Sequence, residues 1–339
     1  MKAVWIPKFG KPDVLELRET HDPVPGPGQV RIRVRASGIN FAEIMARQGL
    51  YRDAPPLPAV VGYEVSGLID AIGEGVADRA EGQRVLAMTH FGGYADTVCV
   101  GASQSYVMPE QMSFEEGAAL PVTYLTAYHI LFNVLRVRPG DHVLIHQAAG
   151  GVGTAASQLC RSIGGVTTYG TASKSKHEYV RANGCDHPID YHTVDYAEAI
   201  NELTDGRGVH AVLDALGGGD WKKGYSLLRP GGMLIPFGWA NMAKFGKRRI
   251  THVLGEFSHM PWWTPVKLMQ ENKGVAGVNM GRLWEEPEMA ETAFAALLKL
   301  YEKGAISPQV DRAFPLAQAA EAHAYIEAGQ NVGKVLLTP

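Results

Sequence analysis

Apolar and polar positions alternate in twos over much of the first 110 residues. The segments "VLELRET" (14–20) and "GQVRIRVRASGI" (28–39) show this period, and "RVLAM" (84–88) and "YADTVCV" (94–100) are short β-branched runs. Clusters rich in Pro, Gly and acidic residues, "HDPVPGPGQ" and "EGVADRAEGQ", separate them, and "YRDAPPLPAVVG" (51–62) reads as a loop. Such a pattern predicts a partly open β-barrel or sandwich. From residue 142 the rhythm changes. "HVLIHQA" precedes a predicted helix over Gly151–Ile163, followed by "VTTYGTA", a helix through "SKSKHEYVRANG", and "HPIDY". A helix near Tyr196, the run "GVHAVLDALG", a helix near Trp221, "GGMLIPFGW" and a last strand in "GVAGVNM" complete the series. Strands alternating with helices predict a parallel, doubly wound sheet of about six strands. A helix in "EMAETAFAALLKLYEKG" and a closing strand in "GKVLLTP" follow. The expected class is therefore α/β: a β-rich domain over 1–124, a cofactor domain over 125–282, and a segment 283–339 that returns to the first domain.

A glycine-rich turn marks the start of the second domain. In "VLIHQAAGGVGTAASQL" (143–159) the dinucleotide fingerprint G-x-G-x-x-G is read as Ala148-x-Gly150-x-x-Gly153, with Ala in the first glycine slot. The glycines allow a tight turn and close approach of backbone to a pyrophosphate, which rests on the N-terminus of the following helix. The match is weak alone; the strand before it and the βα units after it strengthen it. The end of the second strand selects the nucleotide. NAD binders place an acid there for the ribose 2′-hydroxyl. Here "YGTASKSKHE" offers Ser173, Lys174 and Lys176 and no acid before Glu178, which favours the 2′-phosphate of NADPH. Two solvated lysines at a helix start are the plainer explanation.

Composition sets limits on the chemistry. The chain has 339 residues, 46% hydrophobic and 20% charged, with a net charge of −3. That is a globular composition long enough for two domains, and it lacks the basic excess of a nucleic-acid binder. Three scattered cysteines, Cys99, Cys160 and Cys185, without a C-x-x-C, argue against a disulfide framework and fit a reducing, cytoplasmic compartment. No signal-peptide-like segment opens the sequence. The window "GAALPVTYLTAYHILFNVL" (117–135) is interrupted by Pro121 and polar residues and reads as a buried interdomain helix rather than a membrane span. His142 and His146 are four apart on a strand, and His187 and His192 flank another, but neither pair has a third ligand nearby in sequence. No metal is expected, so no Lewis acid is available to activate an alcohol.

Several stretches resemble the medium-chain dehydrogenase/reductase superfamily in its zinc-free quinone oxidoreductase branch: "ASGINFAEIMARQGLY", "VVGYEVSG", "PVTYLTAYHIL", "QAAGGVGTAASQL" and "NVGKVLL". Zinc alcohol dehydrogenases carry G-H-E where this chain has Gly62-Tyr63-Glu64. Within the branch, "GTASKSKHE", "HPIDYHTVDY" and "LGGGDWKKGYSLLRPGG" resemble the vesicle amine transport protein family of synaptic vesicle membranes. The resemblance implies a GroES-like catalytic domain, a Rossmann domain, NADPH, and a homodimer joined through the last Rossmann strand. It places Asn40 and Thr126 near the nicotinamide, and Ala149, Gly150, Gly151 and Val152 at the pyrophosphate. Gly170, Ser173, Lys174 and Tyr191 fall at the 2′-phosphate. Leu216 joins the cofactor-binding set; Phe237, Gly238 and Val278 line the nicotinamide side, and Asn331 belongs to a loop closing over the cofactor. Some relatives have an arginine in that loop, where the nearby cation here is Lys334.

Two function classes stay open. One is a reductase that passes hydride from NADPH to a quinone or an α,β-unsaturated carbonyl, with Tyr51 and the Asn40 amide as donors to the developing oxyanion and Tyr51 as proton source. The other is an NADPH-binding protein that contacts membrane or lipid and turns over weakly or not at all. Each residue also has a plainer role. Asn40 can hold the turn after its strand, Tyr51 can pack a loop, Tyr63 can plug the space a zinc ligand takes in relatives, and Glu64 can be a buried structural carboxylate. Phe91, Trp239, Trp262 and Trp263 are candidates for an apolar pocket. "FSHMPWWTPVKLM" suggests an exposed lip, a dimer contact or a membrane-facing patch, and "KFGKRRI" (244–250) a basic face.

Overall fold

The computed structural model describes residues 1–243 and 260–339. The basic run 244–250 and the first residues of "FSHMPWWTPVKLM" lie outside them. Two compact units emerge: Met1–Leu125 with Met280–Pro339, and Thr126–Asn279.

The first unit opens with β1 (Lys2–Ile6), β2 (Glu16–Glu19) and β3 (Gln29–Ile39), then α1 (Phe41–Gln48), β4 (Ala59–Val60), β5 (Glu64–Ile72), β6 (Arg84–Met88), β7 (Thr97–Gly101) and β8 (Ser105–Val107). Two helices follow, α2 (Phe114–Ala119) and α3 (Pro121–Tyr128), the latter running past the unit's end. β1 pairs with β2 and β4 in a small sheet, and the larger sheet is built around β3. Val30, Ile32 and Val34 point inward with period two, and from Ala36 to Ile39 every side chain is buried. The change follows from pairing: the first half of β3 lies between β5 and β7, whereas its end gains a strand from the chain's C-terminus.

The second unit contains β9 (His142–Ile145), α4 (Gly151–Ile163), β10 (Thr167–Ala172), α5 (His177–Ala182), β11 (His187–Asp190) and α6 (Tyr196–Leu203). It continues with β12 (Val209–Asp214), α7 (Gly219–Ser226), β13 (Leu228–Pro236), α8 (Ala240–Ala243), α9 (Pro265–Glu271) and β14 (Gly274–Val275). Its six strands run in the order β11-β10-β9-β12-β13-β14, with every pairing parallel. Strand order reverses at β9, between β10 and β12, and the C-terminal ends of strands at such a switch point form the crevice where α/β sheets bind ligands. The core includes Leu144, Tyr169, Ile200, Val212 and Leu234.

The chain then returns to the first unit through α10 (Pro287–Glu302), β15 (Val310–Pro315), α11 (Ala319–Glu327) and β16 (Lys334–Thr338). β16 pairs antiparallel with the end of β3, Val335 opposite Ile39, and parallel with β15. The architecture is a β-rich unit completed by the C-terminus plus a doubly wound parallel-sheet unit.

Two expectations change. The single helix over 117–135 is broken: α2 ends before Leu120, α3 starts at Pro121, and a wider turn follows over His129–Val134. Proline has no N–H to continue α2 and is suited to a helix start. The strand expected in "GVAGVNM" is two residues long. Among the described residues no helix is long and apolar enough to cross a membrane.

Candidate active site

In the Thr126–Asn279 unit, the sequence-predicted cofactor residues collect at the C-terminal ends of the parallel strands. The turn after β9 places Gln147 in the left-handed region (φ 53°) and bonds Gly150 N to Gln147 O at 2.8 Å. Gly150 caps α4 in an extended conformation, so Gly151 and Val152 enter the first turn, whose N–H groups have no intrahelical acceptor. A Cβ on Gly153 would lie 2.4 Å from Gln147 O and 2.6 Å from the Ala148 Cα, so only glycine fits. Ala149 is buried under this turn. Gly170, on β10, meets the Ala148 side chain in the same way. Ser173 is half-buried and Lys174 exposed just after β10, with no carboxylate before Glu178. Tyr191 is exposed after β11 and stacks beside His192.

At the switch point, the ends of β9 and β12 carry His146 and Asp214, both buried. Asp214 Oδ1 accepts Leu216 N at 2.7 Å and Gly217 N at 3.0 Å, while Thr171 Oγ1 accepts Gln147 N at 3.2 Å and lies 3.1 Å from His146 Nδ1. These side chains brace the starts of two loops, after β9 and after β12, that hold predicted cofactor residues. Burial drives the His146 imidazole down and the Asp214 carboxyl up, the latter against the pull of His146 and of two backbone N–H groups. Phe237 N bonds Asp214 O and Val278 N bonds Pro236 O, both at 2.9 Å. A Cβ on Gly238 would meet Ala215 O at 2.9 Å. Thr126 is buried on α3. The glycine turn, the helix start and the Ser173–Lys174 donors fit the diphosphate and 2′-phosphate of a dinucleotide.

The first unit holds Asn40, Tyr51, Tyr63 and Asn331. Asn40 is the N-cap residue of α1, and Glu43 Oε2 accepts Asn40 N at 2.8 Å. The Asn40 amide nitrogen donates to Glu64 Oε1 at 2.9 Å and to Glu43 Oε1 at 3.3 Å, and Asn40 Oδ1 accepts from the Lys334 ammonium. The expectation that this amide donates to an acceptor oxygen is therefore revised: both its hydrogens are committed to carboxylates. Glu43 Oε1 also accepts Tyr63 N at 3.2 Å, joining this cluster to the aromatic residues. Burial pushes the Glu43 carboxyl up to about 7 against the opposing pull of Lys334.

Tyr63 is buried, its ring 5.0 Å from Phe91 and 6.3 Å edge-on from Tyr51. His90 continues the wall between Phe91 and Trp284, and Arg282 pairs with Asp53 at 3.2 Å. Burial raises both phenols; the contact between them raises Tyr63 further and pulls Tyr51 back. Asn331 sits in the turn before β16 and donates to Gly333 O at 3.1 Å. Of the other aromatic candidates, Trp239 packs on Trp221, and Trp263 is half-buried, packed against the second unit's core beside Tyr225. Trp262 is 91% exposed.

Sequence reading missed Glu43, although N-x-x-E after a strand is a capping-box signal. The His146–Asp214 brace and the His90–Trp284 contact carried no such signal, because each joins residues far apart in the chain.

Residues 26–119 match the alcohol dehydrogenase GroES-like domain, and residues 183–337 match the zinc-binding dehydrogenase domain. The human synaptic vesicle membrane protein VAT-1 homolog is 44% identical over 346 residues, covering all of this chain and 86% of that protein. This chain belongs to the quinone oxidoreductase-like branch of the medium-chain dehydrogenase/reductase superfamily, close to the VAT-1 proteins. Another member, 2-haloacrylate reductase from a Burkholderia species, is 33% identical over 99% of this chain and 98% of its own. The Escherichia coli quinone oxidoreductase, solved in complex with NADPH, superposes with a TM-score of 0.89 at 27% identity and full coverage of both chains. Despite the domain name, no three His, Cys, Asp or Glu side chains converge on a metal position among the described residues. Tyr63 stands in the slot where the resemblance implies histidine in the zinc enzymes, and the side chains around it among the described residues do not make up a zinc ligand set.

Proposed function

We propose that the protein is a zinc-independent, NADPH-dependent reductase acting on a quinone or an α,β-unsaturated carbonyl. The observation that carries this reading is the buried Tyr63, which replaces a metal ligand with a phenol packed against Tyr51 and Phe91. NADPH is supported by the glycine turn, by Ser173 and Lys174 without a competing carboxylate, and by the related enzyme complexed with it. The 2-haloacrylate reductase supports a conjugated acceptor, since an acrylate is itself an activated alkene.

When bound, the cofactor supplies a hydride. The α4 N-terminus and the turn of Ala149–Gly150–Gly151–Val152 bind the pyrophosphate; Gly170, Ser173, Lys174 and Tyr191 surround the 2′-phosphate. In the second unit Leu216, Phe237, Gly238, Val278 and Thr126 would orient the other half; Asn40 and Asn331 are the candidates that the first unit carries for it. Flat apolar acceptors rest on the aromatic residues, which exclude water. Charge developing on the acceptor oxygen takes a hydrogen bond from Tyr51, and Tyr63 orients that phenol. Burial raises both phenols, which keeps them protonated and able to donate. NADPH oxidation monitored with a panel of quinones and enones tests the reading; binding without turnover overturns it.

A second reading, a membrane- or lipid-contacting role, is favoured by one observation. Trp262, Val266 and Met269 are 91%, 56% and 73% exposed around α9, beside Lys267. Sedimentation with anionic liposomes, lost in the Trp262→Ser/Met269→Ser variant, would support it.

A further inference from the structure

Lys334 is the first residue of β16 and is buried. Its ammonium pairs with Glu64 Oε1 and donates to Asn40 Oδ1, 294 positions away in sequence. Glu64, fully buried at the start of β5, uses its other oxygen to accept Val122 N, in the first turn of α3, at 2.7 Å. Three segments that meet only on folding converge on this pair: the C-terminal strand with its preceding turn, the start of α1, and the start of α3. Stability alone does not call for such a pair, because well-packed apolar residues of similar volume often serve as well or better.

What the pair provides is direction. Lys334 takes Asn40 Oδ1, while Glu64 and Glu43 take the amide nitrogen. Turning the amide over would set its NH2 against an ammonium and its carbonyl against two carboxylates, so one orientation is fixed. The same ammonium anchors the residue that follows the Asn331–Gly333 turn, and Lys334 N bonds Gln309 O at 2.8 Å.

We propose that Lys334 is a positioning residue: it fixes the Asn40 side chain and ties the turn carrying Asn331 to it, so both are presented to the dinucleotide in one geometry. Its kinetic consequence rests on the reductase reading above; its structural consequence does not.

Four full-length variants test it: Lys334→Met, the neutral pair Lys334→Met/Glu64→Gln, Asn40→Ala and Asn40→Ala/Lys334→Met. Lys334→Met is expected to lower kcat about tenfold or more, with a smaller change in NADPH Kd read from tryptophan fluorescence. The neutral pair, which removes both charges of the Lys334–Glu64 ion pair, is expected to restore thermal stability without restoring kcat. Asn40→Ala/Lys334→Met is expected to be no worse than either single change, because both remove the same arrangement. Recovery of kcat to within about twofold in the neutral pair, or additive losses in Asn40→Ala/Lys334→Met, would overturn the proposal. Hydrogen exchange supplies a readout free of turnover. Lys334→Met should speed exchange together in peptides spanning 38–48, 120–126 and 331–339; a change confined to 331–339 would sink the idea. If the parent protein fails to oxidise NADPH with every quinone and enone tried, yet this three-segment response appears, the reductase reading fails and the positioning role stands.

Discussion

Tyr51→Phe removes one hydroxyl and keeps the ring beside Tyr63. If Tyr51 donates to the reacting oxygen, kcat falls about a hundredfold, while KM for NADPH stays near the parent value. A loss confined to KM for the acceptor would reduce Tyr51 to a wall residue. Lys174→Glu sets a carboxylate where the chain has none before Glu178. The expected result is an NADPH KM raised about tenfold or more with NADH little affected, since like charge repels the 2′-phosphate. An unchanged preference removes Lys174 from cofactor selection. Both residues are candidates that the sequence alone puts forward, one by a missing acid after a strand and one in a loop after a recognisable motif. The commitment of the Asn40 amide was not legible. Its partners Glu64 and Lys334 lie 24 and 294 positions away, and no periodicity links such distances.

At the scale of elements, the glycine turn makes the sharpest demand. Gly153→Ala puts a methyl 2.4 Å from Gln147 O and 2.6 Å from the Ala148 Cα, both backbone atoms that cannot rotate away. The turn must shift, and calorimetric titration should show NADPH affinity weakened about tenfold or more, whereas an unchanged Kd would show that the turn does not hold the pyrophosphate. α4 itself was readable from its glycine start and small-residue pattern, and the observed span matches Gly151–Ile163. Two elements defied local pattern for physical reasons. An apolar stretch through Pro121 reads as one helix because periodicity registers burial, whereas the missing N–H breaks it. β14 is short because only Gly274 and Val275 pair with β13 before the chain leaves the sheet.

For the whole molecule, buried charge links stability to pH. Burial lifts the Glu43 carboxyl from 4.5 to about 7, so between those values the folded chain holds a proton that the unfolded chain releases. Stability from this group is complete below about pH 4.5 and is lost as pH rises through 7, a change of roughly 3 kcal/mol. Urea unfolding of the parent and Glu43→Gln across that window should give curves that converge or cross by this amount; parallel curves contradict the shift. The fold class, a β-rich part beside a doubly wound parallel sheet, was visible in the change from period-two strands to alternating strands and helices. The Lys334–Glu64–Asn40 cluster was not visible, because loops and the returning C-terminal segment assemble it. The most direct test of the central claim is NADPH oxidation at 340 nm, with quinones and enones, by protein dialysed against a strong chelator. The account predicts turnover that survives chelation, prefers NADPH to NADH, and drops about a hundredfold in Tyr51→Phe. Tight NADPH binding without oxidation by any acceptor, or activity lost to the chelator and restored by zinc, would contradict it.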